Sequence, residues 1–330
     1  MVLESISNPF QAENKPSKLI AMGFVYCVLA ILLSTWIFKD QASLVFVFLT
    51  VMASIPLMMN IIKEEEKKDL QDIEEVVLLK EHSRALIAFM ALFLGVTLGV
   101  VATYVYTPLA ITLAVFMGVL LFSKPDASTG KVSSITMIVA TVAALALGIW
   151  AAQQGTDMVG VFQTQIDTIK HINGRVTGLS TVNTGSAFAK IFLNNIKVLV
   201  FCILFSFLYG AGAIFILTWN ASVIGTAVGN FIRSNLATVA HLVGLEKASQ
   251  YFSIITIGLF KYIIHGVPEI LGYFVAALAG GIISIGVIRH DFEGRKFEHI
   301  VLDAADLILL SIGIIFVAAA LEVWITPLIF

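Results

Sequence analysis

Charged residues are scarce in this chain of 330 residues: they make up 13% of it, against roughly a quarter in soluble domains. Hydrophobic residues make up 58%, which excludes an ordinary soluble globular protein. The apolar residues come in runs of roughly 15 to 27, typical of membrane-spanning helices and unlike the shorter alternating strands of a β-barrel. The sequence therefore predicts an all-α protein, a polytopic helical bundle in the cell membrane.

Signals for several specific chemistries are also missing. The formal net charge is −2 and no basic stripe with interleaved aromatic residues occurs, so we expect no nucleic acid partner. Cys27 and Cys202 lie inside apolar runs without metal-ligand spacing, and we interpret both as buried thiols. The chain has no H-E-x-x-H motif, phosphate-binding glycine loop or serine elbow. We therefore predict a protein that is not an enzyme and needs no cofactor; an intramembrane metalloprotease would need ligands beyond His265 and Glu269.

About nine apolar segments are predicted to lie in the membrane. Lysine and arginine are more frequent in the loops that share a side with the N-terminus, which predicts a cytoplasmic N-terminus. An odd number of spans then places the termini on opposite sides. The shortest segment, 109–122, would rise only about 21 Å as a helix, so a re-entrant path is the alternative for it. The segments are 19–38, 43–62, 85–106, 109–122, 134–151, 191–217, 249–264, 268–288 and 306–326.

Polar stretches divide the chain into four predicted parts: a cytosolic tail (1–18), N-terminal membrane helices (19–151), a polar outer segment (152–190) and a membrane core (191–330). Charge pairs at i,i+3 and i,i+4 predict a cytosolic helical hairpin at 63–84. Apolar residues at helical spacing in the outer segment predict a short amphipathic helix on the membrane surface. Besides the lipid bilayer, protein partners are expected at the hairpin or the outer segment, and a homo-oligomer is a further expectation. For the hairpin, a merely solvated helical extension is the alternative.

An unusual polar motif, "HGVPE", interrupts the apolar residues near position 265. His265 and Glu269 are four residues apart, so an unbroken helix would place them on one face. Pro268 removes a backbone donor and clashes with the preceding turn. Together with Gly266 it predicts a broken or re-entrant helix around 264–269, with His265 hydrogen-bonded to the Glu269 carboxylate.

Further polar side chains in the apolar segments are predicted to join this motif, because a polar group inside a bilayer needs a partner. Gly272, Ala276 and Gly280 recur every four residues and permit close helix packing around it. The resulting cluster either holds the helices together or lines a site for an ion, a proton or a ligand, and the identity of any metal is left open. The added residues are Asn194, Asn195, Asn220 and Glu322.

Four stretches in the last 140 residues carry a family resemblance. They are "IFLNNIKV", "LTWNASVIGTAVG", "HGVPEILGYFVAALAGGIIS" and "AAALEVWITP", and the His-Gly-x-x-Glu motif followed by small residues is the most specific of them. In this order they resemble the stage II sporulation protein M family over about residues 190–330. The resemblance implies a polytopic membrane protein that acts as scaffold and localiser in a complex, which in spore formers remodels septal peptidoglycan. It marks as candidate positions His265, Glu269, Asn195, Asn220 and Glu322.

Two functions are open on these grounds. The first is a non-enzymatic scaffold or localisation component of a membrane complex, built around the polar cluster. The second is a transporter or channel component in which His265 and Glu269 bind an ion, a proton or a small ligand near a broken helix. A wet cavity that reaches His265 would favour transport, and a dry cluster with every group paired would favour the scaffold.

Overall fold

The computed structural model describes residues 16–69, 75–123, 132–177, 184–209, 212–288 and 295–330. These residues form helices joined by short connections and contain no strand, as predicted for the fold class. The helices are α1 (Pro16–Ile37), α2 (Ala42–Asp69), α3 (Glu75–Phe122), α4 (Ser134–Gln153), α5 (Gln163–Thr177), α6 (Thr184–Tyr209), α7 (Ala213–Thr238), α8 (Gly244–Ile288), α9 (Arg295–Ala320) and α10 (Thr326–Ile329), with 3-10 turns at Lys39–Gln41 and Val159–Phe162 and a π-helical turn at Leu321–Ile325.

Within the described ranges, eight helices are long and apolar enough to cross a membrane. The predicted segment 191–217 is divided between two of them, α6 and α7. The sequence prediction missed most of α7 because its mean hydropathy is 1.3, the lowest of the eight. Several of its threonine, serine and asparagine side chains reduce that value but donate hydrogen bonds to carbonyls of the preceding turn, which satisfies them inside a membrane helix.

α8 is one helix from Gly244 to Ile288, so the predicted break around 264–269 is wrong. Pro268 lies inside it and leaves the helix continuous. A proline removes only one backbone donor, and neighbouring helices in a membrane bundle tolerate that loss. Gly266 is buried, and a Cβ added there would make an ordinary contact of 3.6 Å with Ile224 of α7. The glycine therefore serves helix packing and not a turn.

α3 reverses direction at Tyr106, whose φ of −156° and ψ of 93° are not helical. A Cβ added at Gly99 would lie 3.2 Å from the Phe24 carbonyl oxygen, and one at Gly118 would lie 3.9 Å from Val25 Cγ1. In an unbroken helix these two glycines would be about 28 Å apart. They can both contact adjacent residues of α1 only if α3 folds back on itself. The described helices therefore make nine passes through the bundle, although not the nine that the sequence predicted.

Glycines bring neighbouring helices into backbone contact. A Cβ added at Gly225 of α7 would lie 2.8 Å from Val100 Cβ of α3, and one at Gly280 of α8 would lie 2.5 Å from the Ile203 carbonyl oxygen of α6. Both distances are shorter than real Cβ contacts. Glycine is thus required where α3 meets α7 and where α6 meets α8, as in other close membrane-helix pairs.

The polar segment between α4 and α6 is built into one end of the bundle. Phe162 is fully buried, and its ring lies 5.6 Å from that of Phe46 and 5.5 Å from that of Tyr104. Gln165 in α5 is also fully buried and donates a hydrogen bond to the carbonyl oxygen of Ser43 at 3.1 Å. A helix forms here as the spacing indicates, but Phe162 in the preceding 3-10 turn and Gln165 in the first turn of α5 face other helices and not the lipid surface.

The predicted charged hairpin and the N-terminal tail lie largely outside the described residues. α2 continues to Asp69 and α3 begins at Glu75, whereas residues 70–74 and the side chains of 60–85 are outside. Of the tail, only 16–18 is described, as the beginning of α1. The expectation that partners bind the hairpin stays a prediction.

Candidate functional site: an intramembrane polar cluster

The continuous α8 places three polar side chains on one face, one turn apart: His265, Glu269 and Tyr273. Tyr273 is fully buried, and its hydroxyl donates a hydrogen bond of 2.7 Å to Glu269 Oε1. The sequence prediction missed Tyr273, although it lies four residues after Glu269 within the predicted segment 268–288. That spacing, taken as an unbroken helix, was the signal that could have identified it.

The second side of the cluster comes from the C-terminal end of the chain. The π-helical turn Leu321–Ile325 follows α9, and the Thr326 hydroxyl donates a 3.0 Å hydrogen bond to the carbonyl oxygen of Leu321. Thr326 Oγ1 also lies 3.3 Å from His265 Nδ1. Because the single hydroxyl proton is already donated, Nδ1–H of His265 is the donor to Thr326. When the ring is neutral, Nε2 is then the unprotonated nitrogen. Thr326 was not among the predicted residues.

Glu322 lies in the π-helical turn, and its carboxyl group interacts electrostatically with that of Glu269 and with the Tyr262 hydroxyl. A π-helical turn changes the direction in which side chains project, and such turns are frequent at functional sites. Among the described side chains, no lysine or arginine forms an ion pair with either carboxyl group. Two acidic groups thus lie close enough to interact electrostatically in the same part of the bundle.

The predicted hydrogen bond between His265 and Glu269 is wrong. His265 contacts Thr326, and Glu269 accepts its hydrogen bond from Tyr273. The reason is competition between partners: the Glu269 carboxyl group accepts the hydroxyl of Tyr273, one turn further along α8, and the C-terminal end of the chain brings Thr326 to the His265 ring. The two residues share a site but do not satisfy each other.

The three predicted asparagines have different surroundings. Asn195 of α6 is 4% exposed, and its Nδ2 has no hydrogen-bond partner among the described residues. Asn220 of α7 donates to the Ile216 carbonyl oxygen in its own helix at 2.8 Å. Asn194 is exposed on the outside of the bundle. Only Asn195 therefore offers the interior an unused donor, and Asn194 does not belong to the cluster.

The cluster lies near the middle of the membrane-spanning region. Gly280 of α8 lies against Ile203 of α6, and Gly272 of α8 lies against Ile315 of α9. α6 and α8 run parallel because α7 returns between them, so Asn195 is roughly level with Gly272, within one turn of Glu269. Asn195 is the twelfth of the 25 residues in the span Thr184–Leu208. Midplane polar groups of this kind are characteristic of functional positions in membrane proteins.

A cavity of about 60 Å³ lies next to the cluster, between α3, α7 and α8. Tyr262, Gly266 and Ile270 are among its lining residues, and the lining is almost entirely apolar. Neither His265 nor Glu269 lines it. The described part of the chain also contains no group of three histidine, cysteine, aspartate or glutamate side chains that could hold a metal ion.

Comparison with known proteins gives one match. The family model of stage II sporulation protein M matches residues 133–327, which is more than half of the chain and includes every residue of the cluster. The match begins well before residue 190, so it takes in α4 and α5 as well as the core predicted from the sequence. Comparisons with curated proteins and with solved structures found no match. On this match, the chain belongs to the stage II sporulation protein M family.

Proposed function

We propose that this multi-pass membrane protein is a non-enzymatic scaffold or localisation component of a membrane complex, and that the polar cluster holds it in one shape. The observation that carries the proposal is the internal pairing of the cluster. Glu269 is bonded to Tyr273, and His265 to Thr326. The adjacent cavity is apolar and does not reach His265. These two hydrogen-bonded pairs and the apolar lining of the adjacent cavity favour a structural role for the cluster.

The pairing ties the C-terminal end of the chain to the centre of α8. Hydrogen bonds in a low-dielectric interior fix relative position, because displacing one helix would strand polar groups without partners. Aromatic side chains strengthen the same region, since the Phe188 ring of α6 lies 5.1 Å from that of Phe316 and 5.0 Å from that of Trp324. These contacts hold α6, α8 and α9 in fixed positions relative to one another, as a scaffold requires.

The proposal is tested by the size of the protein in its own membranes. We expect the tagged full chain, extracted in a mild detergent, to migrate on native gels as a discrete species larger than the purified chain in the same detergent. The Tyr273→Phe/Thr326→Val variant, which loosens the cluster, should lose that species, whereas Gly313→Ala should keep it because nothing lies within 4 Å of a Cβ there. If the wild-type protein migrates only as the purified chain does, the scaffold function is refuted.

A second function is supported by one observation, the electrostatic interaction between the carboxyl groups of Glu269 and Glu322. Two acidic groups without a basic partner are stabilised by a shared proton or by a bound cation, and the free Nε2 of His265 adds a basic nitrogen. Under this alternative the cluster binds a proton or a cation during transport. The thermal transition of the purified protein is then raised by one chloride salt among Na⁺, K⁺ and Ca²⁺ at constant ionic strength. Glu322→Gln should abolish the shift, and an equal response in both proteins would exclude cation binding here.

A further inference from the structure

One face of α6 carries polar side chains on the outside of the bundle. Lys190, Asn194 and Lys197 follow the spacing i, i+4, i+7, and all three are exposed. Only 22% of an apolar 18-residue window within the span Thr184–Leu208 is buried inside the protein. The outward face of α6, here called the lysine face and defined by these three residues, therefore points toward lipid.

The depth of Lys197 sets it apart from ordinary interfacial lysines. It is the fourteenth of 25 residues in its span, about 20 Å from Thr184 and about 16 Å from Leu208 along the helix. The hydrocarbon core extends only about 15 Å from its centre to either edge. Lys190 is about 9 Å from Thr184, so its ammonium group can reach the interface along its flexible stem. The Lys197 ammonium group stays in the hydrocarbon.

A lysine in that position requires a counter-charge. Charged side chains in membrane spans almost always face the bundle interior, a water-filled space or an ionic partner. Lys197 faces outward, and the described residues include no ion pair to it. Apolar side chains flank it and are themselves exposed, Leu193 at 57%, Val200 at 46% and Phe201 at 54%. The described residues of this chain thus supply no counter-charge for Lys197.

We propose that the lysine face binds the transmembrane helix of a different protein, one that carries an aspartate or glutamate near the middle of its span. The carboxylate would pair with the Lys197 ammonium group. The Asn194 amide, one turn away, would share a hydrogen bond with the same helix. This inference rests on the proposed function in one respect, because it names the kind of partner that the scaffold holds.

A second copy of this chain fits the lysine face less well. Asp306 of α9 is an exposed carboxylate within a described span. The contacts that set the helix register, Gly272 with Ile315 and Gly280 with Ile203, place Asp306 about 10 Å from the depth of Lys197. Copies inserted in the same orientation keep that difference. α6 and α9 are antiparallel, so the two side chains also lean in opposite directions along the membrane normal.

The experiment measures association with a designed helix. The purified full chain is labelled with a donor dye and reconstituted into phosphatidylcholine vesicles. The probe is an acceptor-labelled Leu/Ala peptide long enough to span the bilayer, with one glutamate at its centre. The control peptide has leucine there. We expect energy transfer to report at least tenfold tighter association of the glutamate peptide than of the leucine peptide.

Three variants sharpen the test. Lys197→Leu should remove the preference for the glutamate peptide, and Lys190→Leu, the matched control, should keep it. Lys197→Glu should reverse the preference toward a peptide with a central lysine. Equal association of glutamate and leucine peptides with the wild-type protein overturns the proposal. So does single-molecule photobleaching that counts two copies for wild type and one for Lys197→Leu, because the occupant is then a second copy.

The native gel separates this inference from the proposed function. If the large species persists unchanged in Lys197→Leu, the lysine face is not the partner site while the scaffold function stands. If wild type forms no large species, the scaffold function fails, and the peptide experiment still decides whether the lysine face selects an acidic helix.

Discussion

Removal of one hydroxyl group should reveal which side chains of the polar cluster are hydrogen-bonded to each other. Tyr273→Phe leaves the ring in its fully buried position and deletes only the donor to Glu269, which lies 2.7 Å away. Side-chain hydrogen bonds inside membrane proteins contribute about 0.6 kcal/mol on average and up to about 1.7 kcal/mol. Because this bond is short and its acceptor is a carboxyl group, we expect a coupling energy near the upper value, about 1.5 kcal/mol.

The coupling energy is obtained from double-mutant cycles. Tyr273→Phe, Glu269→Leu and the double variant are unfolded reversibly with SDS in mixed micelles and followed by the fluorescence of the four tryptophans. A parallel cycle on His265 and Thr326, which are 3.3 Å apart, should give a smaller coupling of about 0.5 kcal/mol. A Tyr273–Glu269 coupling below about 0.3 kcal/mol, the limit of additivity, would refute the hydrogen bond between these two side chains. So would a larger coupling between His265 and Glu269.

Three further predictions follow from the packing, the charges and the topology. Gly280→Ala should destabilise the protein by about 1–3 kcal/mol in the same SDS titration, because its Cβ would lie 2.5 Å from a carbonyl oxygen of α6. Gly281→Ala is the control and should be nearly neutral, because its Cβ would lie 3.5 Å from the nearest atom. Arg233 donates hydrogen bonds to Asp157 and holds the pKa of that carboxyl group below its ordinary value of 3.8. The ion pair therefore stabilises the fold above about pH 4, and this stabilisation is lost as the pH falls through the lowered pKa. Because both side chains are nearly half exposed, the loss should be under about 1 kcal/mol. The protection of amides near Asp157, measured relative to their intrinsic exchange rate at each pH, should fall below pH 4 in wild type but not in Asp157→Asn. An identical pH profile of protection in both proteins would exclude the pair as its cause. A cysteine in 63–84 should react with an impermeant maleimide only from the cytosolic side and a cysteine replacing Asp157 only from the outside, and the opposite pattern would invert the topology.

Local pattern was a reliable guide to which residues are unusual but a poor guide to how they are connected. His265, Glu269 and Glu322 stand out because ionisable groups are rare in membrane spans, and the tertiary structure brings them into one site. Asn194 stands out equally in the sequence and lies on the outer surface. Its neighbour Asn195 is buried, and only the packing of α6 against the bundle distinguishes the two.

The predicted break at Pro268 shows why local rules fail in this environment. A proline disfavours a helix in isolation, but packing against the neighbouring helices keeps α8 continuous through it. At Tyr106, by contrast, the interruption of α3 falls at the boundary between the predicted segments 85–106 and 109–122. The continuity of α8 depends on neighbours distant in sequence, which a local propensity does not contain.

The sequence by itself determined that this is an all-helical membrane protein and pointed to its family, because hydropathy and motifs are read along the chain. Only the tertiary structure decided that Tyr273 and Thr326 complete the polar cluster, that the predicted His265–Glu269 bond does not form, and that Lys197 is exposed on the outside of α6. Which side chains are buried and which hydrogen bonds form depends on contacts between two or more helices. These contacts are set by how closely the helices approach one another at residues such as Gly280, and the sequence of a single segment does not contain that information.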